Sequence, residues 1–339
     1  MICQITDLPD PPLPMLITGI SGVSGYNALQ YFHDRYPGQV IGIRQESNWP
    51  LRGPGIVPCD AEDADGLRRL FDQHGFRSVL NCGGNCALKS CELDPEMAWR
   101  INLRPIRTLL DVMACHNVRF VHLSIDLVFS GTKGGNHLES DRADPVTVYG
   151  KTMAAAESLI ELAKPDACVL RISLPMGISY SGHAGAIDWI QARFKANKPA
   201  TLYFDEVRTP TYTDCLNRVC QSVLAKELRG IHHCGGPRQL SLYQIAQVVN
   251  RVGGYNPGNL MGCYRKEAGP MPPRAGNVTM NSDKLADAIG FQPFDPWPFD
   301  DEHAPNHSMW HAERPSNADH SPDLLAQVLY KNPGLPGSV

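Results

Sequence analysis

The sequence predicts an α/β fold in which a doubly wound parallel sheet carries a smaller α+β cap, and three observations predict it. Short apolar runs alternate with longer amphipathic stretches through the first half of the chain. A glycine triplet joins the first run to the first stretch. Beyond about Pro175 the cadence loosens into short helical patterns broken by Gly and Pro.

The elements follow in order. A proline-rich lead occupies residues 1–14, with Pro9, Pro11, Pro12 and Pro14. Apolar runs at 15–18, 40–43, 79–82, 120–124 and 168–172 read as buried parallel strands. Between them, 26–34, 65–73, 95–115 and 149–163 hold apolar residues on one helical face. These belong to a first domain over 15–175. Residues 176–299 are read mainly as the cap, with helices at 242–252 and 282–289 and a part near 207–228 returning to the first domain. The tail, 300–339, is rich in Pro, His, Asp and Asn and has one helix candidate at 321–330. Trp297, Phe299 and Trp310 are expected to pin it to the cap.

Composition narrows the function classes. At 339 residues, 42% hydrophobic and 19% charged, the chain is an ordinary globule with room for a sizeable core. A formal net charge of -4 and a pI near 6.3 give no global basic field, so nucleic acid is not an expected partner and any phosphate is bound locally. No run approaches the roughly 20 apolar residues of a membrane span, and the N-terminus lacks the order of a signal peptide. A cytoplasmic location without a membrane partner is expected. The eleven cysteines are scattered and odd in number, as suits reduced thiols, most of them buried as small apolar residues.

The strongest local signal is Ile17-Thr18-Gly19-Ile20-Ser21-Gly22-Val23-Ser24-Gly25, three glycines at three-residue spacing between a strand and a helix. Glycine there permits a tight turn, close approach of backbone to a pyrophosphate and close helix-on-strand packing, while the helix N-terminus offers N–H groups to the anion. This is the dinucleotide loop of a Rossmann sheet. At the end of the second strand, where an NAD enzyme carries an acidic residue, this chain has Arg44. A cation there favours the 2′-phosphate of NADP over NAD, and Arg52 could serve equally.

Several further motifs come in a fixed order: Cys59-Asp60; Val79-Leu80-Asn81-Cys82-Gly83-Gly84; Trp99-Arg100-Ile101-Asn102; Leu123-Ser124-Ile125-Asp126-Leu127-Val128-Phe129; and Tyr149-Gly150-Lys151-Thr152. Later come Arg208-Thr209-Pro210-Thr211-Tyr212-Thr213-Asp214, Pro273-Arg274 and Asp283-Lys284-Leu285. With these residues the chain resembles the extended short-chain dehydrogenases/reductases, and within them the dTDP-4-dehydrorhamnose reductase branch, from about Met15 to Phe291. The resemblance implies a cofactor site of Gly19, Ser21, Gly22, Val23, Ser24, Gly25, Arg44, Asp60, Asn81, Cys82, Gly83, Asn102 and Tyr149, with Asp60 beside the adenine. It implies Tyr149 as proton donor, a nucleotide-linked keto sugar as substrate, and a homodimer formed through a four-helix interface. Arg208 and Arg274 are the candidates for the substrate pyrophosphate, because arginine suits bidentate phosphate contacts.

The chain departs from the pattern at two positions. The family's lysine, four residues after the tyrosine, is Met153, and its Ser or Thr is Ile125. Lys151 lies roughly 200° around the helix from Tyr149 and should point elsewhere. Ser124 faces the opposite side of a regular strand, so only a local bulge would turn it inward. Tyr149, Ser124 and Asp126 are therefore the catalytic candidates, with Lys133 as another polar group nearby. A phenol without a cationic neighbour keeps its proton at neutral pH, so the acid survives while the ribose clamp, the proton relay and one donor to the developing oxyanion are lost.

Other signals carry less. Cys82, Cys86 and Cys91 do not match metal spacings, and Pro305 interrupts the helix that would align His303, His307 and His311, so no metal is expected. His232-His233 reads as a structural pair. Two functions remain open: a reductase with altered chemistry, and an NADP(H)-binding sensor or regulatory subunit without turnover, such as the regulatory subunit of methionine adenosyltransferase on a similar fold. Epimerisation or dehydration would need a base from the cap, and no residue selects it.

Overall fold

The computed structural model describes residues 8–182, 185–269, 272–314 and 320–330. The strands in chain order are β1 (Met15–Thr18), β2 (Val40–Arg44), β3 (Ile56–Pro58), β4 (Ser78–Asn81), β5 (Arg119–Ile125), β6 (Cys168–Ile172), β7 (Pro175–Met176), β8 (Ala200–Tyr203), β9 (Val207–Arg208), β10 (Thr211–Tyr212), β11 (Gly230–Cys234), β12 (Leu240–Ser241) and β13 (Leu260–Cys263). The α-helices are α1 (Val23–Arg35), α2 (Ala64–His74), α3 (Leu88–Leu93), α4 (Pro95–Met113), α5 (Val148–Ala163), α6 (Ala186–Lys195), α7 (Thr213–Ala225), α8 (Leu242–Val252), α9 (Asp283–Ile289) and α10 (Pro322–Leu329).

Seven strands form one parallel sheet in the order β11-β6-β5-β4-β1-β2-β3. This is the doubly wound Rossmann arrangement, whose strand order reverses between β1 and β4 and so opens a crevice at the carboxyl ends of those strands. Both faces are covered, which is why β1, β4, β5 and β6 are almost uniformly buried and read as continuous apolar runs. Leu29, Phe32, Leu216 and Val219 of α1 and α7 pack on one face, while Leu67, Phe71, Ile106, Leu109 and Ile160 of α2, α4 and α5 pack on the other.

Two sheet strands escaped the apolar pattern. β3 is three residues long on the sheet edge with a half-exposed face, and β11 interrupts its apolar run with His232 and His233. The sheet's last strand therefore comes from beyond residue 228. The cap is built on short pairings: β8 with β13, β9 with β12, and β7 with β10, joined by α6 and α8.

In the tail, Ser321 caps α10 by accepting from Leu324 N at 3.0 Å, and Leu325, Val328 and Leu329 enter the main core. Trp297, fully buried, donates to the Leu329 carbonyl at 3.3 Å, and the Tyr212 hydroxyl donates to the Val328 carbonyl at 3.1 Å. No disulfide links the described cysteines, and Cys59, Cys91, Cys168, Cys215, Cys220 and Cys234 are buried. Among the described residues no helix is long and apolar enough to cross a membrane.

Candidate active site

The glycine loop closes tightly on the β4 end. Gly19 adopts φ 68°, and a Cβ there would sit 2.4 Å from the Cys82 carbonyl oxygen; one on Gly25 would sit 2.2 Å from the Gly19 carbonyl oxygen. Gly22 differs, because its nearest neighbour would be 3.5 Å away. Packing therefore requires Gly19 and Gly25, whereas the bare backbone at Gly22 leaves room for something from outside. Gly22 is also the N-cap of α1, which has neither a side-chain cap nor an acidic residue in its first turn. A helix start with that chemistry fits the pyrophosphate of a dinucleotide.

Behind the loop, the Thr18 hydroxyl and Gly83 N both donate to Asn81 Oδ1, at 2.5 and 3.0 Å. The Asn81 amide meets His122 Nδ1 at 3.0 Å. Burial depresses the His122 pKa to about 4, so its ring is neutral, and Nε2 has no partner. At the far end of the crevice, Arg44 donates to the carbonyls of Gln45 and Glu46 at 2.9 and 3.1 Å, while Asp60 accepts from Glu46 N at 3.1 Å. Arg44 thus sits half-exposed at the end of β2 with its guanidinium curled onto the next loop. Arg52 is exposed beyond it.

Tyr149 lies in the first turn of α5, whose N-cap Thr147 accepts from Gly150 N at 2.9 Å. Gly150 lets α5 approach the β5 end closely, since a Cβ there would meet the Leu127 carbonyl at 2.2 Å. Asn102 of α4 ties three pieces together: its amide donates to Thr152 Oγ1 at 2.8 Å, its Oδ1 accepts from Asn85 N at 2.7 Å, and the Thr152 hydroxyl donates to the Tyr149 carbonyl at 2.7 Å. The Tyr149 side chain is 7% exposed and joins Met153, Leu127 and Val128 in one apolar cluster against which Ile125 packs. Burial first, then Cys86, Asp126 and Cys91, hold the phenol well above its ordinary pKa. It is a neutral acid, and among the described residues no cation contributes to the shift. Lys151 is exposed on another face of α5, and Lys133 is exposed on the 131–135 turn.

Ser124, expected as a substitute hydroxyl, is corrected by the structure. Register along β5 and β6 is unbroken, Ser124 opposite Arg171 and Ile125 opposite Ile172, so no bulge turns Ser124 inward. Its Oγ donates to Glu157 at 2.5 Å, and Glu157 pairs with Arg171 through 3.0 and 2.7 Å contacts. Arg171 reaches His233 Nε2 at 3.3 Å, and His233 Nδ1 lies 3.1 Å from the His137 carbonyl. This polar chain lies under α5, and its residues are at most 3% exposed.

Arg208 is corrected too. It is 4% exposed and pairs with Glu206 at 2.7 Å and with Asp126 at 3.7 Å, so its guanidinium serves two internal carboxylates instead of a pyrophosphate. Asp126 also accepts from the Ser173 hydroxyl at 2.6 Å, and burial raises its pKa against the opposing pull of Arg208. Arg274 remains accessible: it lies 3.8 Å from Glu206 and 4.8 Å from the centre of the Tyr203 ring. Glu206, Ser173, Glu157 and Arg171 went unnoticed in the sequence. A signal existed for two of them, because Arg171 is a charge inside an apolar strand and Glu157 falls two turns after Tyr149 on the same helix face. His303, His307 and His311 face separate partners, Glu302, Glu313 and Gln247.

The model of the RmlD substrate binding domain family matches residues 14–299. The chain belongs to this family. A dTDP-4-dehydrorhamnose reductase from Mycolicibacterium smegmatis is 30% identical over 244 residues, 70% of this chain and 72% of that protein. The methionine adenosyltransferase 2 subunit beta of Danio rerio is 23% identical over 68% of this chain and 73% of its own. The crystal structure of dTDP-4-dehydrorhamnose reductase from Bacillus anthracis in complex with NADP superposes with a TM-score of 0.68 at 17% identity, covering 84% of this chain and 95% of that one. At that identity the likeness speaks for the fold.

Proposed function

We propose that this protein is an NADPH-dependent reductase of a nucleotide-linked keto sugar, working slowly with Tyr149 as the proton donor. The observation that carries the reading is the Tyr149 phenol, buried in the first turn of α5 and held protonated at the carboxyl end of β5. Gly19, Ser21, Gly22, Val23, Ser24 and Gly25 would hold the pyrophosphate, Arg44 or Arg52 the 2′-phosphate, and Asn81, Cys82, Gly83 and Asn102 the wall of the crevice. Bound NADPH supplies the hydride. Tyr149 donates a proton to the carbonyl oxygen, and Asp126, which the phenol senses electrostatically, biases that phenol toward its protonated form. Arg274 is the group left to meet the substrate pyrophosphate. Ile125 and Met153 provide neither an oxyanion donor nor a ribose clamp, each worth on the order of 10² to 10³ in rate. The reading carries a cytoplasmic site of action and a dimer through α4 and α5, where Trp99 and Leu162 are 42% and 84% exposed.

The test is NADPH oxidation followed at 340 nm with a panel of nucleotide-linked keto sugars. The expected result is slow turnover that Tyr149→Phe abolishes while NADPH binding persists. Binding of NADPH without turnover of any panel member would overturn the reductase reading in favour of a regulatory NADP(H) sensor. One observation favours that second reading: Met153 is 2% exposed inside an apolar cluster where a lysine would need a charged partner.

A further inference from the structure

Outside the crevice, the chain builds a second concavity between the end of α8, inside the stretch that the family model covers, and the tail, which lies beyond it. Its volume is about 460 Å³, and its walls are Arg251, Asn306, His307, Trp310, Glu313 and Arg314. The two arginines are set firmly in place. Arg251 Nη1 donates to the Trp310 carbonyl at 2.9 Å, with its guanidinium 4.1 Å from the centre of the Trp310 ring. Arg314 is anchored by the Tyr255 carbonyl, by the Asn250 carbonyl and Oδ1 at 3.2 and 2.9 Å, and by the His311 carbonyl at 3.3 Å.

Every one of those acceptors is a neutral oxygen. Among the described residues neither guanidinium has a carboxylate within ion-pair distance, and the one acid on the wall, Glu313, lies 3.2 Å from His307 instead. The two cations sense each other: Arg314 is pushed below its ordinary pKa by burial and then by Arg251. Holding two half-buried like charges at one concavity costs free energy that water only partly offsets, in a protein whose net charge is -4. Arg314 uses Nε and Nη2 on those neutral oxygens and Arg251 uses Nη1, so Arg314 Nη1 with Arg251 Nε and Nη2 are the donors left, among the described residues, to meet phosphate oxygens.

We propose that this concavity is an accessory binding site for a small phosphate-bearing dianion, clamped between Arg251 and Arg314 with His307 at the rim. The volume exceeds what inorganic phosphate fills, so a phosphomonoester or a pyrophosphate group on a small metabolite is the class that fits. Because Gln247 of α8 donates to the carbonyls of His307 and Ser308 at 3.1 and 2.9 Å, occupancy would also tighten the tail against the cap.

The site is tested by calorimetric titration of the full chain with inorganic pyrophosphate at fixed ionic strength. Saturating NADP+ is included to block the glycine loop, with inorganic phosphate and sulfate as comparison titrants. The expected result is saturable pyrophosphate binding that survives NADP+ and weakens at least tenfold in Arg251→Gln, with NADPH affinity unchanged in that variant. His307→Asn, at an exposed position on the rim, should weaken binding by less than Arg251→Gln does. Pyrophosphate binding that disappears under NADP+, that Arg251→Gln leaves intact, or that never saturates at fixed ionic strength would each overturn the proposal. The readout is binding, so it stands or falls separately from sugar reduction.

Discussion

At the residue scale the proposed chemistry turns on Ile125 and Met153, which the resemblance sets in the places of a hydroxyl and an ammonium; in the structure Met153 shares the apolar cluster of Tyr149 and Ile125 packs against it. Restoring them jointly, Ile125→Thr with Met153→Lys, is expected to raise kcat at least tenfold over the unmodified protein in the 340 nm assay, at some cost in stability from a lysine buried without an acid partner. His122 supplies a pH prediction. Its pKa is depressed by burial to about 4 against 6.5 in the unfolded chain, so between these values the unfolded state binds the extra proton. Stability is therefore full above about pH 6.5 and lost as pH falls toward 4, by on the order of 3 kcal/mol for this one group. Urea unfolding at pH 7 and pH 5 should show the loss, and in His122→Gln the pH dependence should shrink by about one proton.

At the scale of elements, the glycine loop separates packing from binding. Gly25→Ala drives a Cβ into the Gly19 carbonyl and is expected to unfold the loop, lowering Tm and abolishing cofactor binding together. Gly22→Ala meets nothing closer than 3.5 Å, so Tm should hold while NADPH affinity falls at least tenfold. Equal losses of Tm in the two variants would show that Gly22 serves the fold as well. Beneath α5, the Glu157–Arg171 pair is fully enclosed, and removing one partner strands the other charge. Arg171→Met is expected to cost about 3–5 kcal/mol in urea unfolding, and the double variant with Glu157→Gln should cost less than the single change.

Across the whole molecule, the tail acts as part of the core. α10 contributes Leu325, Val328 and Leu329 to the main cluster, and Tyr212 and Trp297 both donate to its backbone. Deleting residues 300–339 should cost on the order of 5 kcal/mol, from three buried apolar side chains at about 1.5–3 kcal/mol each, read as a fall in the urea midpoint. The sheet sets the glycine loop at the end of β1 and both Asp126 and the start of α5 with Tyr149 at the end of β5, although the loop precedes those two residues by more than a hundred positions.

The sequence by itself determined the parallel sheet and the place of the glycine loop between β1 and α1. Those features are local: a strand buried on both faces is apolar along most of its length, and the tight turn from β1 into α1 needs glycine where a Cβ would strike backbone. The resemblance it carries marks Ile125 and Met153 as departures from the family pattern, and helix geometry sets Lys151 on another face from Tyr149. Only the tertiary structure decided the partners of the buried charges. Ser124 looks like a spare hydroxyl until Glu157 is seen across from it, and Arg208 looks like a phosphate ligand until Glu206 and Asp126 enclose it. Strand β11 and the arginine concavity share that origin, since each depends on segments far apart in the chain whose meeting no local pattern encodes. A charge displays its type in the sequence, but its role follows from which opposite charge the fold brings within a few ångströms, or fails to bring.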